Sequence, residues 1–286
     1  KKHNLTGWAF LAPATFLIAV FSFWPMIKAL VLSFQTGKGR NMQMAGFTNY
    51  IRMFQDDVFI QSIKNTFFYF IIQVPIMLVV ALVLACILNK KDLRFKGFFR
   101  TMIFLPCTTS LVAYSIIFRS LFANNGLVNY VLVNIGILDK PYNFLTQPFA
   151  AKMVILLGLL WRWTGYNMVF FLSGLQNIEY SVYEAAKIDG ASAIQTFFKI
   201  TVPLLKPTIL LTAIMSTNGT LQLFDESINL TDGGPANASI SMSHYIYNLC
   251  FKYVPNFGYA AAMSFFILLL VAVLAFIQMR VGDKRD

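Results

Sequence analysis

Charge is scarce in this chain. Only 12% of its 286 residues are Asp, Glu, Lys or Arg, against roughly 25% in a soluble domain, so an ordinary water-soluble domain is excluded. Histidine and cysteine are few as well. His3 and His244 stand too far apart in sequence for a metal centre, and Cys86, Cys107 and Cys250 lie in or beside apolar stretches without paired spacing. Neither a disulfide framework nor a zinc site follows. A Gly-rich phosphate-cradling sequence is missing, so the chain has no nucleotide site of its own. No spaced His, Asp or Glu set lies inside the apolar stretches to serve a metal or an acid–base pair. An enzyme is not expected.

What the chain has in quantity is apolar surface. Hydrophobic residues make up 57% of it, 29 of them Phe, the composition of an all-α integral membrane protein in a lipid bilayer. Runs long enough to cross a bilayer fall at about 8–34, 62–88, 101–122, 152–175, 203–226 and 257–279. Six transmembrane helices in one domain, 1–286, are therefore predicted. The first run is too long for a signal-peptide core and lacks a small-residue cleavage site, so it reads as a retained span. Pro13 and Pro25 are possible kink sites in it, and Pro75 interrupts the second.

The net charge of +11 could suggest nucleic acid, but its distribution assigns it to topology. Thirteen basic residues fall on one side: Lys1 and Lys2, then Lys90, Lys91, Arg94, Lys96 and Arg100, then Lys187, Lys199 and Lys206, then Arg280, Lys284 and Arg285. Seven fall on the other: Lys38, Arg40, Arg52, Lys64, Lys140, Lys152 and Lys252. The positive-inside rule places both termini and the 180–206 loop in the cytoplasm. The external loops are then 35–61, 123–151 and 229–256.

Two spans carry polar groups that lipid cannot satisfy. In the fourth, Arg162 sits among Trp161, Trp163, Tyr166 and Asn167. An arginine at that depth either faces the bundle interior or water, or snorkels to an interface, and Asp225 or Glu226 is a possible partner for it. In the fifth, Thr208, Thr212, Ser216 and Thr220 share one helix face, while Asn218, Gln222 and Asp225 form a second polar row. Small hydroxyls in a span often bond their own backbone or pack against a neighbour, whereas amides need partners. One of the two rows is expected to line a path for a polar solute. Candidates to meet that solute are Asn218, Gln222 and Thr217, with Trp163, Tyr166 and Asn167.

Between these spans lies a polar loop, 180–202, with dense helix signals. Ser181 with Glu184 and Ser192 with Gln195 have capping-box spacing. Gly190, after Asp189, is placed to stop a first helix, and Pro203 stands where the next span begins. A helix, an Asp-Gly break and a second helix are predicted.

Glu184, Ala185, Ala186, Gly190, Ile200 and Pro203 resemble, at that spacing, the EAA loop of ABC importer permeases. The segment Leu230–Pro235, then Ser239, Tyr245–Tyr247 and Phe257–Ala262, is similar to the carbohydrate-importer permeases of the MalF type. Against the maltose permease itself, the chain lacks the large extracytoplasmic insertion and has six predicted spans rather than eight, and so looks closer to the shorter permeases for oligosaccharides such as raffinose, lactose or arabinose oligomers. The resemblance implies a type I ABC importer permease fold in the bacterial cytoplasmic membrane. It also implies a homologous second permease (MalG-like), two copies of an ABC ATPase and an extracytoplasmic solute-binding protein, with a sugar as cargo and no nucleic acid. ATP and Mg would be bound by the ATPase partners, and this chain would hold no cofactor and no metal. Glu184, Ala185, Ala186, Asp189, Gly190 and Pro203 would couple it to the ATPase. On the residues alone, Glu184 could equally serve only its own helix N-terminus, and a six-span secondary transporter or channel is the alternative reading.

Overall fold

Long apolar runs in hydrocarbon can satisfy their backbone only internally, so they fold as helices. The computed structural model describes residues 2–38, 41–90 and 92–282. Lys1, Arg40, Lys91, Lys284 and Arg285, which enter the charge count, lie outside the described residues. Four helices are long and apolar enough to cross a membrane, and two bent pairs raise the number to six if each pair is one span.

The chain forms two units, residues 1–60 with 245–269 and residues 61–244 with 270–286. The first contains α1 (Lys2–Ile18) and α2 (Trp24–Ser33). They are joined by a wider π-turn over Ala19–Phe23, where the Trp24 amide reaches back to Ala19. Pro25 has no N–H to continue the ordinary ladder, which is why the widening falls here. A hairpin follows, β1 (Gln35–Lys38) against β2 (Asn41–Met44) with Gln35 opposite Met44. It was not legible as such in the predicted 35–61 loop. Helix α3 is Thr48–Met53; its Asn49 donates to the Ser33 and Gln35 carbonyls at 2.9 and 2.7 Å and ties the hairpin down.

Asp56 caps the start of α4 (Asp57–Asn89), accepting from the Val58 and Phe59 amides. Its other oxygen accepts from Tyr245 and Tyr259, both at 2.7 Å, and Arg52 stacks on the Tyr259 ring. Tyr259 belongs to α15 (Phe257–Gly282), whose first turns are small. A Cβ on Gly258 would fall 2.1 Å from the Gln35 carbonyl oxygen, so only glycine allows that approach.

In the second unit α8 (Pro148–Gln176) is the central helix, the most buried of the spans. Its Met168, Phe171, Leu172 and Leu175 pack with Ala81, Leu82, Ala85 and Leu88 of α4. It meets α5 (Lys96–Thr108) where a Cβ on Gly165 would sit 1.9 Å from the Ile103 carbonyl oxygen. Sequence positions 101–122, expected as one span, are α5 plus α6 (Leu111–Leu121), bent by 98°. Positions 203–226 are likewise divided. A segment ending in α11 (Val202–Leu204) meets α12 (Lys206–Leu221) at 70°, and α13 (Asp225–Thr231) is a separate helix. Helix α7 (Leu127–Asn134) occupies part of the 123–151 loop.

The 229–256 loop departs from expectation in another way. Leu230, Ser239, Ile240, Ser241, Met242 and His244 in it are buried. Asn65 of α4 donates to the Asn237 and Ile240 carbonyls, and Tyr69 to that of Ser239. Gly233, at φ +75°, packs against Ile240 and His244, leading into α14 (Met242–Tyr247). The Leu-Thr-Asp-Gly-Gly-Pro segment is thus a folded corner rather than a solvated loop.

Burial alone would raise the Asp56 carboxyl, but the hydrogen bonds from Tyr245, Tyr259 and the Phe59 and Val58 amides outweigh it. The carboxyl is held below the usual carboxylate range. A depressed folded value means stability that is present above about pH 4 and lost as pH falls through the lower folded value. Asp56→Asn is expected to melt a few degrees below wild type at pH 7, with the difference vanishing in acid. A pH series of thermal melts checks this.

Candidate functional site

The predicted polar loop is where the chain's local chemistry is most complete. Helix α9 (Tyr180–Ile188) ends at Asp189. Gly190 is left-handed at φ +75°; its amide reaches the Lys187 carbonyl, and the Ala191 amide reaches that of Ala186. This pair of bonds is the Schellman corner that glycine permits. Helix α10 (Ala193–Thr196) opens on a closed capping box, Gln195 amide to Ser192 Oγ at 3.2 Å and Ser192 amide to Gln195 Oε1 at 2.8 Å. The other expected box does not form. Helix α9 starts at Tyr180, so Ser181 is already inside it and donates to Glu179 instead.

Phe197–Thr201 then widens to a π-turn, because Pro203 offers no amide to the ladder. Tyr183 Oη and Thr201 Oγ1 stand 3.4 Å apart and link the two arms. Ala186 is buried under the corner, while Glu184 and Ala185 are exposed. Ile188 and Ile194, flanking the corner, are 85% and 72% exposed. Two such exposed apolar side chains, one before and one after the corner, form a surface that wants a partner.

The second site is a cavity of about 290 Å³ inside the second unit. Its aromatic wall is Trp163 and Tyr166 of α8, edge to face at 5.8 Å. Its polar groups are Gln73, Asn167, Ser216, Thr220, Gln222, Asp225 and Glu226. They are wired together. Thr220 Oγ1 donates to Gln73 Oε1 at 2.6 Å, and Ser216 Oγ to Asn167 Oδ1 at 3.2 Å. The Asn167 side-chain amide donates to the Trp163 backbone carbonyl at 3.1 Å, one turn back on the same helix.

Of the predicted path residues, Trp163, Tyr166, Asn167 and Gln222 line this cavity. Asn218 and Thr217 do not. Asn218 is exposed and accepts a hydrogen bond from Gln222. Thr217 is buried, donating to the Ala213 carbonyl and accepting from Gln278 of α15 at 2.7 Å. The two polar rows of α12 are both represented, Ser216 and Thr220 from one, Gln222 and Asp225 from the other. Thr212 only bonds its own backbone. Ser216, Thr220 and Asp225 belong to the two rows but were not named as solute contacts, and Gln73 and Glu226 were not placed on the path at all. A lone amide two residues before Pro75 in an otherwise apolar run was the available signal for Gln73.

Arg162 plays a different part from the one expected. Asp225 and Glu226 are not its partners, and among the described residues it makes no ion pair. Its Nη1 donates to the Thr109 carbonyl at 2.8 Å and to that of Pro106 at 3.4 Å, and Nη2 to that of Cys107 at 3.4 Å. These are the carbonyls at the α5–α6 break. Tyr114 and Trp163 rings flank the guanidinium at 5.3 and 5.4 Å. The arginine is a cap for a broken span.

Comparison with known proteins now decides the family. Residues 58–285 match the family described as binding-protein-dependent transport system inner membrane component. The chain belongs to this family of transport permeases. It is 52% identical over 287 residues to the lactose transport system permease protein LacF of Rhizobium radiobacter, covering all of this chain and 96% of that one. It is 31% identical to the arabinooligosaccharides permease AraP of Halalkalibacterium halodurans (98% and 88% covered). A crystallised bacterial ABC transporter that imports the acidic polysaccharide alginate shares the fold, with a TM-score of 0.87 at 24% identity over 100% of this chain and 97% of that one. The same kind of alginate transporter, bound to a periplasmic protein carrying alginate pentasaccharide, superposes at TM-score 0.86 with 25% identity, covering 99% and 96%. The chain is therefore a membrane permease, all-helical but for one hairpin.

Replacing Arg162 tests its role in the permease. Arg162→Met leaves carbonyls at the break unsatisfied, at about 1–3 kcal/mol each, so the purified complex is expected to melt well below wild type. Arg162→Lys, a point charge without the fork, should fall between. Reversing charge at Asp225 or Glu226 should rescue neither. Rescue by such a swap would show an ion pair instead.

Proposed function

We propose that this chain forms half of the translocation pore of a binding-protein-dependent ABC importer for a sugar or oligosaccharide. It couples to a cytoplasmic ATPase through the loop 180–202. The observation that carries the coupling role is the Schellman corner at Asp189–Gly190, which holds Ile188 and Ile194 out to solvent beside exposed Glu184 and Ala185. A rigid helical knuckle with an apolar tip suits a groove on another protein. Exposed Ala185 lets that protein approach closely, while Ala186 is buried under the corner. Gly190 fixes the angle between the two arms, and Pro203 sets where the loop rejoins the span.

The cavity supports the cargo class. Amides and hydroxyls spaced along Thr220, Gln73, Asn167 and Gln222 match the hydroxyls of a sugar, and Trp163 and Tyr166 offer flat faces to its C–H patches. The sugar-transporting relatives point to the same class, lactose for one and arabinose oligomers for another.

The other half of the pore comes from a homologous second permease. Two copies of an ABC ATPase bind ATP and Mg, and this chain itself holds no cofactor or metal. A solute-binding protein delivers the sugar at the outer face, the role that the alginate relative's periplasmic protein suggests. Both termini and the coupling loop face the cytoplasm of a bacterium, as the basic-residue asymmetry requires. ATP binding would draw the coupling loops together and open the pore outward; hydrolysis would reset it.

ATP hydrolysis by the reconstituted complex checks the coupling. Glu184→Lys is expected to assemble in the membrane yet lose sugar- and binding-protein-stimulated hydrolysis by about 5–150-fold, the usual span of a coupling free energy. Normal stimulation in this variant would return Glu184 to a helix-end role. Sugar uptake without ATP, driven by an ion gradient, would favour a secondary transporter.

A further inference from the structure

Helix α12 carries a glycine that neither backbone geometry nor packing within the chain explains. Gly219 lies inside the helix, which runs on to Leu221, and it is not among the glycines at positive φ. Any residue could adopt its backbone, and it does not stop the helix. Glycine in a membrane helix commonly lets two helices approach closely. Gly165 and Gly174 of α8 do this: a Cβ on each would fall 1.9 and 2.8 Å from atoms of Ile103 and Leu205. A Cβ on Gly219 would meet nothing within 4 Å. Glycine inside a helix is destabilising relative to alanine, and no contact within the chain offsets that cost.

The space that Gly219 leaves open belongs to the cavity, which it lines. Met215, four residues before it, and Gln222, three after, continue the same face and line the cavity too. Ser216 and Thr220 lie beside it, their hydroxyls held by Asn167 and Gln73. The wall therefore has a notch one residue wide, with hydroxyls at its edge and longer side chains at either end. The cavity, at about 290 Å³, is at the lower end of the range for small-molecule sites. An apolar cavity of about 150 Å³ takes one benzene ring, so this one has room for a sugar ring and little more. A branched side chain at position 219 would fill much of it.

We infer that Gly219 is a specificity-determining residue of the sugar path and acts by size. Its bare backbone gives a sugar ring clearance in the cavity that Trp163 and Tyr166 also line, and bulk added there excludes the ring. The inference rests on the sugar-permease reading and places the steric limit of that path at one position.

The test is uptake of radiolabelled lactose by vesicles holding the complete importer. Wild type is compared with Gly219→Ala, Gly219→Val and Gly219→Leu. Uptake is expected to fall in the order of side-chain volume, with Gly219→Leu at least about tenfold below wild type. The variant complexes should melt no lower than wild type, since each replacement is a better helix former than glycine. Adding Met215→Ala, which removes bulk from the same wall one turn away, should restore part of the uptake lost in Gly219→Leu. Wild-type uptake by Gly219→Leu overturns the inference. Loss that ignores side-chain volume, or that Met215→Ala does not relieve, also overturns it. Failure of the Gly219→Leu chain to co-purify with the second permease overturns it as well, and makes Gly219 a packing contact between the two permeases. If the wild-type importer takes up neither lactose nor arabinose oligomers, the sugar reading itself has failed and the inference falls with it.

Discussion

Backbone carbonyls and amides inside a bilayer must find partners within the protein, and the rest of this permease depends on how that demand is met. Four spans meet it with unbroken or gently widened helices. Two do not. At Thr109 and Ser110 the chain turns through 98°, and Arg162 donates to the carbonyls at the break. At Leu205 it turns through 70°, and there the tight approach of Gly174 to Leu205 and Thr208 holds the two helices together. An irregular backbone at such depth is tolerated only when it is buried in protein or lines a cavity, and both breaks lie against α8.

Helix α8 links the two sites. Trp163, Tyr166 and Asn167 stand in the cavity wall, and the same helix runs on to Gln176, just before the 180–202 loop. Those 13 or so residues span about 20 Å at 1.5 Å each. The loop then returns into α12, which contributes Ser216 and Thr220 to the wall, with Gln222 just past its end. The knuckle at Gly190 therefore lies between α8, which carries Asn167, and α12, which carries Ser216 and Thr220 of the cavity wall.

Local signals were legible in the sequence and remote ones were not. The Ser192–Gln195 box, the Asp-Gly corner and four of the six apolar runs depend on residues a few positions apart and appear where spacing put them, while the runs at 101–122 and 203–226 are divided. Ser181 was misread because a helix start two residues earlier, with Glu179 at the cap, is invisible to spacing, and it turned a predicted cap into an interior residue. Arg162 could be seen to need partners, but that they would be the carbonyls of residues 106–109 required knowing that the third span breaks. Gln73 meets Thr220 across 147 positions, and no periodicity reports such a contact. Both polar rows of α12 were visible; that the cavity draws on parts of each follows from the end of α12 at Leu221 and the turn into α13.

Side-specific exposure of the cavity is the most direct measurement of whether it is a transport path governed by ATP. Ser216→Cys, in a complex whose Cys86, Cys107 and Cys250 are replaced by Ser, would be probed with a membrane-impermeant maleimide from each side of sealed vesicles. Labelling is expected from the cytoplasmic side without nucleotide and from the outer side when the complex is trapped with a non-hydrolysable ATP analogue. Labelling from the same side in both states would contradict it, leaving the cavity a static void in the membrane helices.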